Sequence, residues 1–221
     1  MVLKRKLKAR WAACAAIVAQ ILTHVGALLP LAWLLWDYWQ GQFIIDPVKE
    51  ITTRTGKTAL ILLILSLACT PMNTIFGFKQ ALRVRRPLGL YAFMYAGLHF
   101  LTFVGLDYGF DLELIRQDIV NQRYVLVGFA AGLLLLSLAI TSTRGWQKRL
   151  GRNWKRLHRL VYLAGILAII HFMWLVKDIR EPLRYGAVVA LLLIVRIPAI
   201  KRAISNARYQ LKARLQTRRE A

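Results

Sequence analysis

The sequence predicts an all-α integral membrane protein, a six-helix transmembrane bundle with both termini in the cytoplasm. Three observations lead there. The 221 residues are 57% hydrophobic with a mean hydropathy of +0.46, too apolar for a soluble domain of this size. Uncharged runs of about 20 residues recur, the length a helix needs to cross a bilayer. The charges are also sorted by loop. The N-terminus, 79–86, 144–159 and the tail from 201 hold 23 of the 32 bases, while nine of the ten acids lie in the three other loops. Excess Lys and Arg marks the cytoplasmic side, so the basic segments are placed inside and the acidic loops outside. The net charge of +22 is therefore read as membrane orientation, with no role in binding nucleic acid.

The spans are expected at 11–36, 58–78, 88–106, 124–143, 160–176 and 183–200. The first follows a basic collar, but it is too long for a signal-peptide core and lacks a small-residue cleavage site. Pro30 and Pro71 are expected to end or kink the first and second spans. Trp33, Trp36, Tyr38 and Trp39 form an interfacial aromatic belt. Gly128 and Gly132 make a small-residue pair in the fourth span, sufficiently explained by close helix packing. Arg196 interrupts the sixth span and is expected to snorkel to the interface, and Pro198 closes it. The segment 201–221 reads as a basic tail on anionic lipid headgroups or in solvent. Cys14 and Cys69 both fall inside spans and imply no disulfide framework. No glycine-rich dinucleotide fingerprint or phosphate loop is present, so nicotinamide binding within this chain is not expected.

Four histidines carry the chemistry. His99 and His171 each lie 11 residues into parallel spans, roughly 16 Å from the cytoplasmic end at the helical rise. Imidazole in hydrocarbon is costly and needs a partner. Two of them at one depth on different helices suit bis-histidine ligation of a b-type haem, because neutral imidazole is a good axial ligand. Gly97 leaves room beside the helix for a flat group. His158 lies 13 residues before His171, about 20 Å lower and roughly 140° around the helix. A distortion, for which Gly165 is the candidate, or approach from different sides would be needed for both to ligate, and an interfacial His158 without a cofactor is the competing reading. Arg85 lies within about 40° of the His99 face but has no lone pair for iron. A haem propionate or a flavin phosphate is the better partner for it, and an ordinary charge of the positive-inside loop is the equal alternative. His24, in the first span, is expected to hydrogen-bond across helices or to Gln20 or Thr23. The competing class is a haem-free transporter or channel with these histidines in a proton or substrate path, and the lack of intramembrane carboxylates argues against it.

The segments RRPLGLYAFMYAGLHF (85–100) and NWKRLHRLVYLAGILAIIHF (153–172), with Thr70-Pro71, resemble the ferric reductase-like transmembrane family. The likeness is to its haem-binding subunits of methionine sulfoxide reductase systems. The resemblance implies a cytochrome b subunit of the bacterial inner membrane with one or two haem b groups, and it adds FMN, for which no residues can be named. It implies that electrons come from the quinone pool or a cytoplasmic flavin reductase. They would pass to a periplasmic molybdopterin subunit of the MsrP type, which performs the methionine sulfoxide chemistry. By motif, His99, His158 and His171 are implied haem-iron ligands, and Arg85 stands where related oxidoreductases carry a fourth histidine. The acidic loop 107–123 is the expected docking surface for the partner.

Overall fold

Among the described residues ten α-helices follow one another: α1 (Val2–Trp39), α2 (Pro47–Phe76), α3 (Gln80–Thr102), α4 (Leu112–Asn121), α5 (Arg123–Ile140), α6 (Arg144–Leu150), α7 (Arg152–Leu157), α8 (Leu160–Leu175), α9 (Arg180–Ile194) and α10 (Pro198–Glu220). They are taken from a computed structural model that describes the backbone of residues 2–220 and the side chains of residues 14–210. The tail side chains beyond 210 lie outside the described residues.

Among the described residues, five helical segments are long and apolar enough to cross a membrane: Cys14–Trp39, Pro47–Phe76, Gln80–Asp107, Arg123–Ile140 and Arg152–Leu175. The sixth expected span, 183–200, is not a single helix. α9 has 15 residues and stops at Ile194, and α10 starts at Pro198. Proline has no N–H for the Ile194 carbonyl and suits a first helical turn, so one helix ends and another begins there. At the helical rise α9 spans about 22 Å, short of a hydrocarbon core of about 30 Å.

Several boundaries move for local reasons. α2 starts well before the expected 58, because the Asp46 side chain accepts the Lys49 N–H at 3.0 Å and Pro47 opens the first turn. Lys49, Glu50, Arg54 and Lys57 thus sit on helix, not loop. α2 also runs through Pro71 and ends at Gly77, whose φ of 73° supplies the left-handed cap. Pro30 likewise lies inside α1. The basic segment 79–86 is largely the start of α3, and Arg144–Arg159 holds the short helices α6 and α7. The acidic loop 107–123 contains α4, capped by Asp111. α3 is continued by a π-helical turn, Phe103–Asp107.

The helices associate as two pairs, α3 along α2 and α8 along α5, which meet through α3 against α5 and α2 against α8. α1 packs on α3, and α9 on α8 and α2. The larger core joins Leu62, Leu63, Ala92, Tyr95, Leu135 and Ala164. Tyr95 is 1% exposed, and its hydroxyl donates to the Ala27 carbonyl at 2.7 Å, fastening α3 to α1. Large apolar side chains such as Leu22, Leu29, Trp33 and Leu35 remain exposed on α1, an outward face suited to lipid. At the end bearing the acidic loops, Arg54 pairs with Asp37 and Glu50, and Lys57 reaches Glu181 at 2.9 Å to tie α2 to α9.

At the basic end, Pro71 has a structural consequence. It offers no N–H to the Leu67 carbonyl one turn earlier. The Arg196 guanidinium supplies the missing donor, and it also donates to the Tyr162 hydroxyl at 2.8 Å while lying over that ring at 5.0 Å. Arg196 therefore points into the bundle rather than snorkelling outward. Arg208 of α10 similarly donates to the Asn73 and Thr74 carbonyls at 2.7 and 2.9 Å, covering the end of α2.

Candidate functional site

His99 on α3 and His171 on α8 come together between the two helix pairs. Their ring centres are 6.1 Å apart and their planes 84° apart. An imidazole nitrogen lies roughly 2 Å from a bound metal and roughly 1 Å from its ring centre, so two rings on opposite sides of one ion have centres about 6 Å apart. The spacing fits a shared iron.

Each ring is held from behind by backbone. His99 Nδ1 donates to the Thr52 carbonyl at 2.9 Å, and His171 Nδ1 donates to the Tyr124 carbonyl at 2.7 Å. A carbonyl can only accept, so both rings carry their proton on Nδ1 and keep the Nε2 lone pair free. A metal-binding imidazole commonly has this arrangement, because the hydrogen bond behind it fixes its tautomer and raises its basicity. Among the described residues, no group of three or more His, Cys, Asp or Glu is placed to hold a bare ion. A metal between these two rings would have to bring its other donors, as porphyrin iron does. The residues present fit a haem.

His158 is placed differently. It lies in the break between α7 and α8, so the distortion expected at Gly165 occurs at 158–159 instead. Gly165 stays inside α8, facing Leu67. The His158 ring stacks on Trp154, with centres 4.1 Å apart, and its Nε2 is 3.2 Å from the Thr141 hydroxyl. Trp154 Nε1 donates to the Thr141 carbonyl at 2.9 Å, closing a small cluster. Arg85 reaches the Thr70 hydroxyl at 3.4 Å and has no carboxylate partner among the described residues. His24 Nδ1 lies 2.9 Å from the Tyr91 hydroxyl, a bond across helices.

Sequence reasoning missed the parts behind the rings. Thr52 and Gly56 fall outside the expected second span, and Gly128 was read as helix packing alone. A Cβ on Gly128 would lie 2.6 Å from His171 Nδ1, and a Cβ on Gly56 would lie 3.0 Å from His99 Nδ1. The available signal was a repeated spacing, Thr52 to Gly56 and Tyr124 to Gly128, visible only once the facing helices are known.

This helical bundle, with several segments apolar enough to cross a membrane, sets two histidines beside each other between helix pairs. Residues 55–169 match the ferric reductase like transmembrane component family. The chain is similar to the protein-methionine-sulfoxide reductase heme-binding subunit MsrQ of Xanthomonas euvesicatoria, 48% identical over 188 residues that cover 82% of this chain and 86% of the relative. The same-named protein of Rhodospirillum rubrum is 45% identical over 192 residues, covering 86% of this chain and 92% of that one. The chain belongs to the ferric reductase-like transmembrane family and groups with its MsrQ members.

Proposed function

We propose that this chain is a b-type haem subunit that carries electrons across the bacterial inner membrane to a methionine sulfoxide reductase partner. The observation that carries this reading is the 6.1 Å separation of the His99 and His171 rings, each braced through Nδ1. Haem, when bound, supplies the one-electron couple. The chain's own residues orient the axial nitrogens, exclude water with the apolar helices, and hold the Nδ1 protons on backbone carbonyls. His99 and His171 would hold the haem, and two strong imidazole donors would suit it to electron transfer rather than substrate binding.

In this reading α9 completes a sixth, short crossing, and both termini lie in the cytoplasm on the strength of the loop charges. Electrons enter at the basic end from quinone or a flavin reductase, pass the region of His158 and Arg85, and leave near the acidic loops. A periplasmic molybdopterin subunit of the MsrP type receives them, its docking steered by charge. His158 could hold a second haem if it exchanged its Thr141 contact, and Arg85 would meet a propionate or phosphate.

The test is the optical spectrum of the purified, dithionite-reduced full chain. Sharp b-type bands are expected in the wild type. They should be largely lost in His99→Ala and His171→Ala, and less affected in His158→Ala. A folded wild type that stays colourless after growth with haem would overturn the reading.

A further inference from the structure

The two ligand rings rest in matching notches. Thr52 and Gly56 are one helical turn apart on α2, as are Tyr124 and Gly128 on α5. In an α-helix, the residue four positions on lies directly above a given carbonyl. A side chain there crowds a flat ring that approaches the outward lone pair, although a slender hydroxyl can still reach one, as Tyr95 does at Ala27. At both sites that residue is glycine, and at both sites the neighbouring helix's imidazole fills the gap and bonds the uncovered carbonyl. Gly132, one turn further along α5, and Gly97 on α3 have nothing within 4 Å of an added Cβ. A looser version of the notch recurs where Arg208 bonds the Asn73 carbonyl beside Gly77 and Ser66 bonds the Arg85 carbonyl beside Gly89, at 3.1 and 3.3 Å from an added Cβ, so the two behind the histidines are the tightest.

We infer that Gly56 and Gly128 are positioning residues for haem ligation: by lacking a Cβ, each lets the histidine of the paired helix reach a backbone carbonyl. That contact sets the ring's rotation and the protonation of Nδ1. The inference rests on the proposed haem at His99 and His171, and it adds that both ligands are oriented by the same device, one on each helix pair. The tighter notch should matter more. A Cβ at Gly128 approaches His171 Cε1 to 2.8 Å, whereas at Gly56 the corresponding approach to His99 is 3.1 Å. Both values are inside normal contact, and the obstacle in each case is a ring already fixed by its hydrogen bond.

The experiment compares Gly128→Ala, Gly56→Ala and the control Gly132→Ala in the purified full chain, with hemin titrated into haem-depleted protein. Gly128→Ala should lose haem affinity roughly 10-fold or more, the usual scale for disturbing the group behind a metal ligand, and Gly56→Ala should lose less. Gly132→Ala should bind as the wild type does. The haem retained by Gly56→Ala should have a raised midpoint potential, because a weakened Nδ1 hydrogen bond makes the imidazole a poorer donor to ferric iron. A purely structural role would lower yield without moving that potential. If Gly128→Ala does not accumulate, the affinity and potential of Gly56→Ala decide. Wild-type affinity and potential in Gly56→Ala, alongside lost bands in His99→Ala, would overturn the notch while leaving the haem. Unchanged haem in His99→Ala and His171→Ala would instead remove the reading beneath it.

Discussion

His99 and His171 are braced by the backbones of neighbouring helices, whereas His158 is held by side chains at a helix break. The first two face each other across the junction of two helix pairs, and their Nδ1 atoms are tied to carbonyls that cannot swing away. His158 leans on the Trp154 indole and touches the Thr141 hydroxyl through Nε2, the atom a metal would need. A backbone anchor on rigid helix fixes a ligand before any cofactor arrives. A side-chain anchor at a break leaves room to rearrange. The same residue type is thus preset in one region and adaptable in the other.

The largest expected effect separates the two regions outright. His99→Ala or His171→Ala should remove essentially all the reduced b-type absorbance of this pair, and His158→Ala should leave it in place. Equal losses in all three variants would erase the distinction.

Next comes Arg196, which secures α9 and α10 to α2 at the basic end. Arg196→Leu leaves the Leu67 carbonyl without its donor and should cost about 1–3 kcal/mol, read as a lowered thermal midpoint. The spectrum of the histidine pair should not change. A spectral change would mean that the pair depends on this end of the bundle after all.

The smallest effect is expected near the acidic loops. The Tyr108 hydroxyl donates to the Asp118 carboxylate, which pushes the Tyr108 pKa up from 10.0 to about 12. A proton held more tightly in the folded state stabilises it fully below the unfolded pKa and stops doing so as pH rises through the folded one. Tyr108→Phe should therefore cost about 1 kcal/mol or less below pH 10.0, and the difference from wild type should vanish by about pH 12. Thermal melts across that range check it. A deficit that persists at high pH would show that Tyr108 acts by packing alone.

The helical character of the fold and five of its long apolar segments were legible in the sequence because hydropathy reports directly on helix length. The closeness of His99 and His171 was foreshadowed by equal counts from the expected span starts at 88 and 160, although α3 itself begins earlier, at Gln80. What stood behind the rings was not. Gly56 and Gly128 gain meaning only from which helix faces which, and no periodicity within one segment encodes that. Pro71 is expected to end or kink the second span because its missing N–H is visible in sequence, while the remote Arg196 that offsets the loss is not. The expected sixth span, 183–200, is not one helix, because apolar composition continues past Ile194 while Pro198 starts a new helix.

The most direct test of the central claim is low-temperature electron paramagnetic resonance of the oxidised, full-length protein. Axial imidazoles with planes 84° apart predict a low-spin ferric signal dominated by one large g value, lost in either His99→Ala or His171→Ala. A signal that survives both substitutions, or a high-spin ferric centre in the wild type, would contradict ligation of one iron by these two rings.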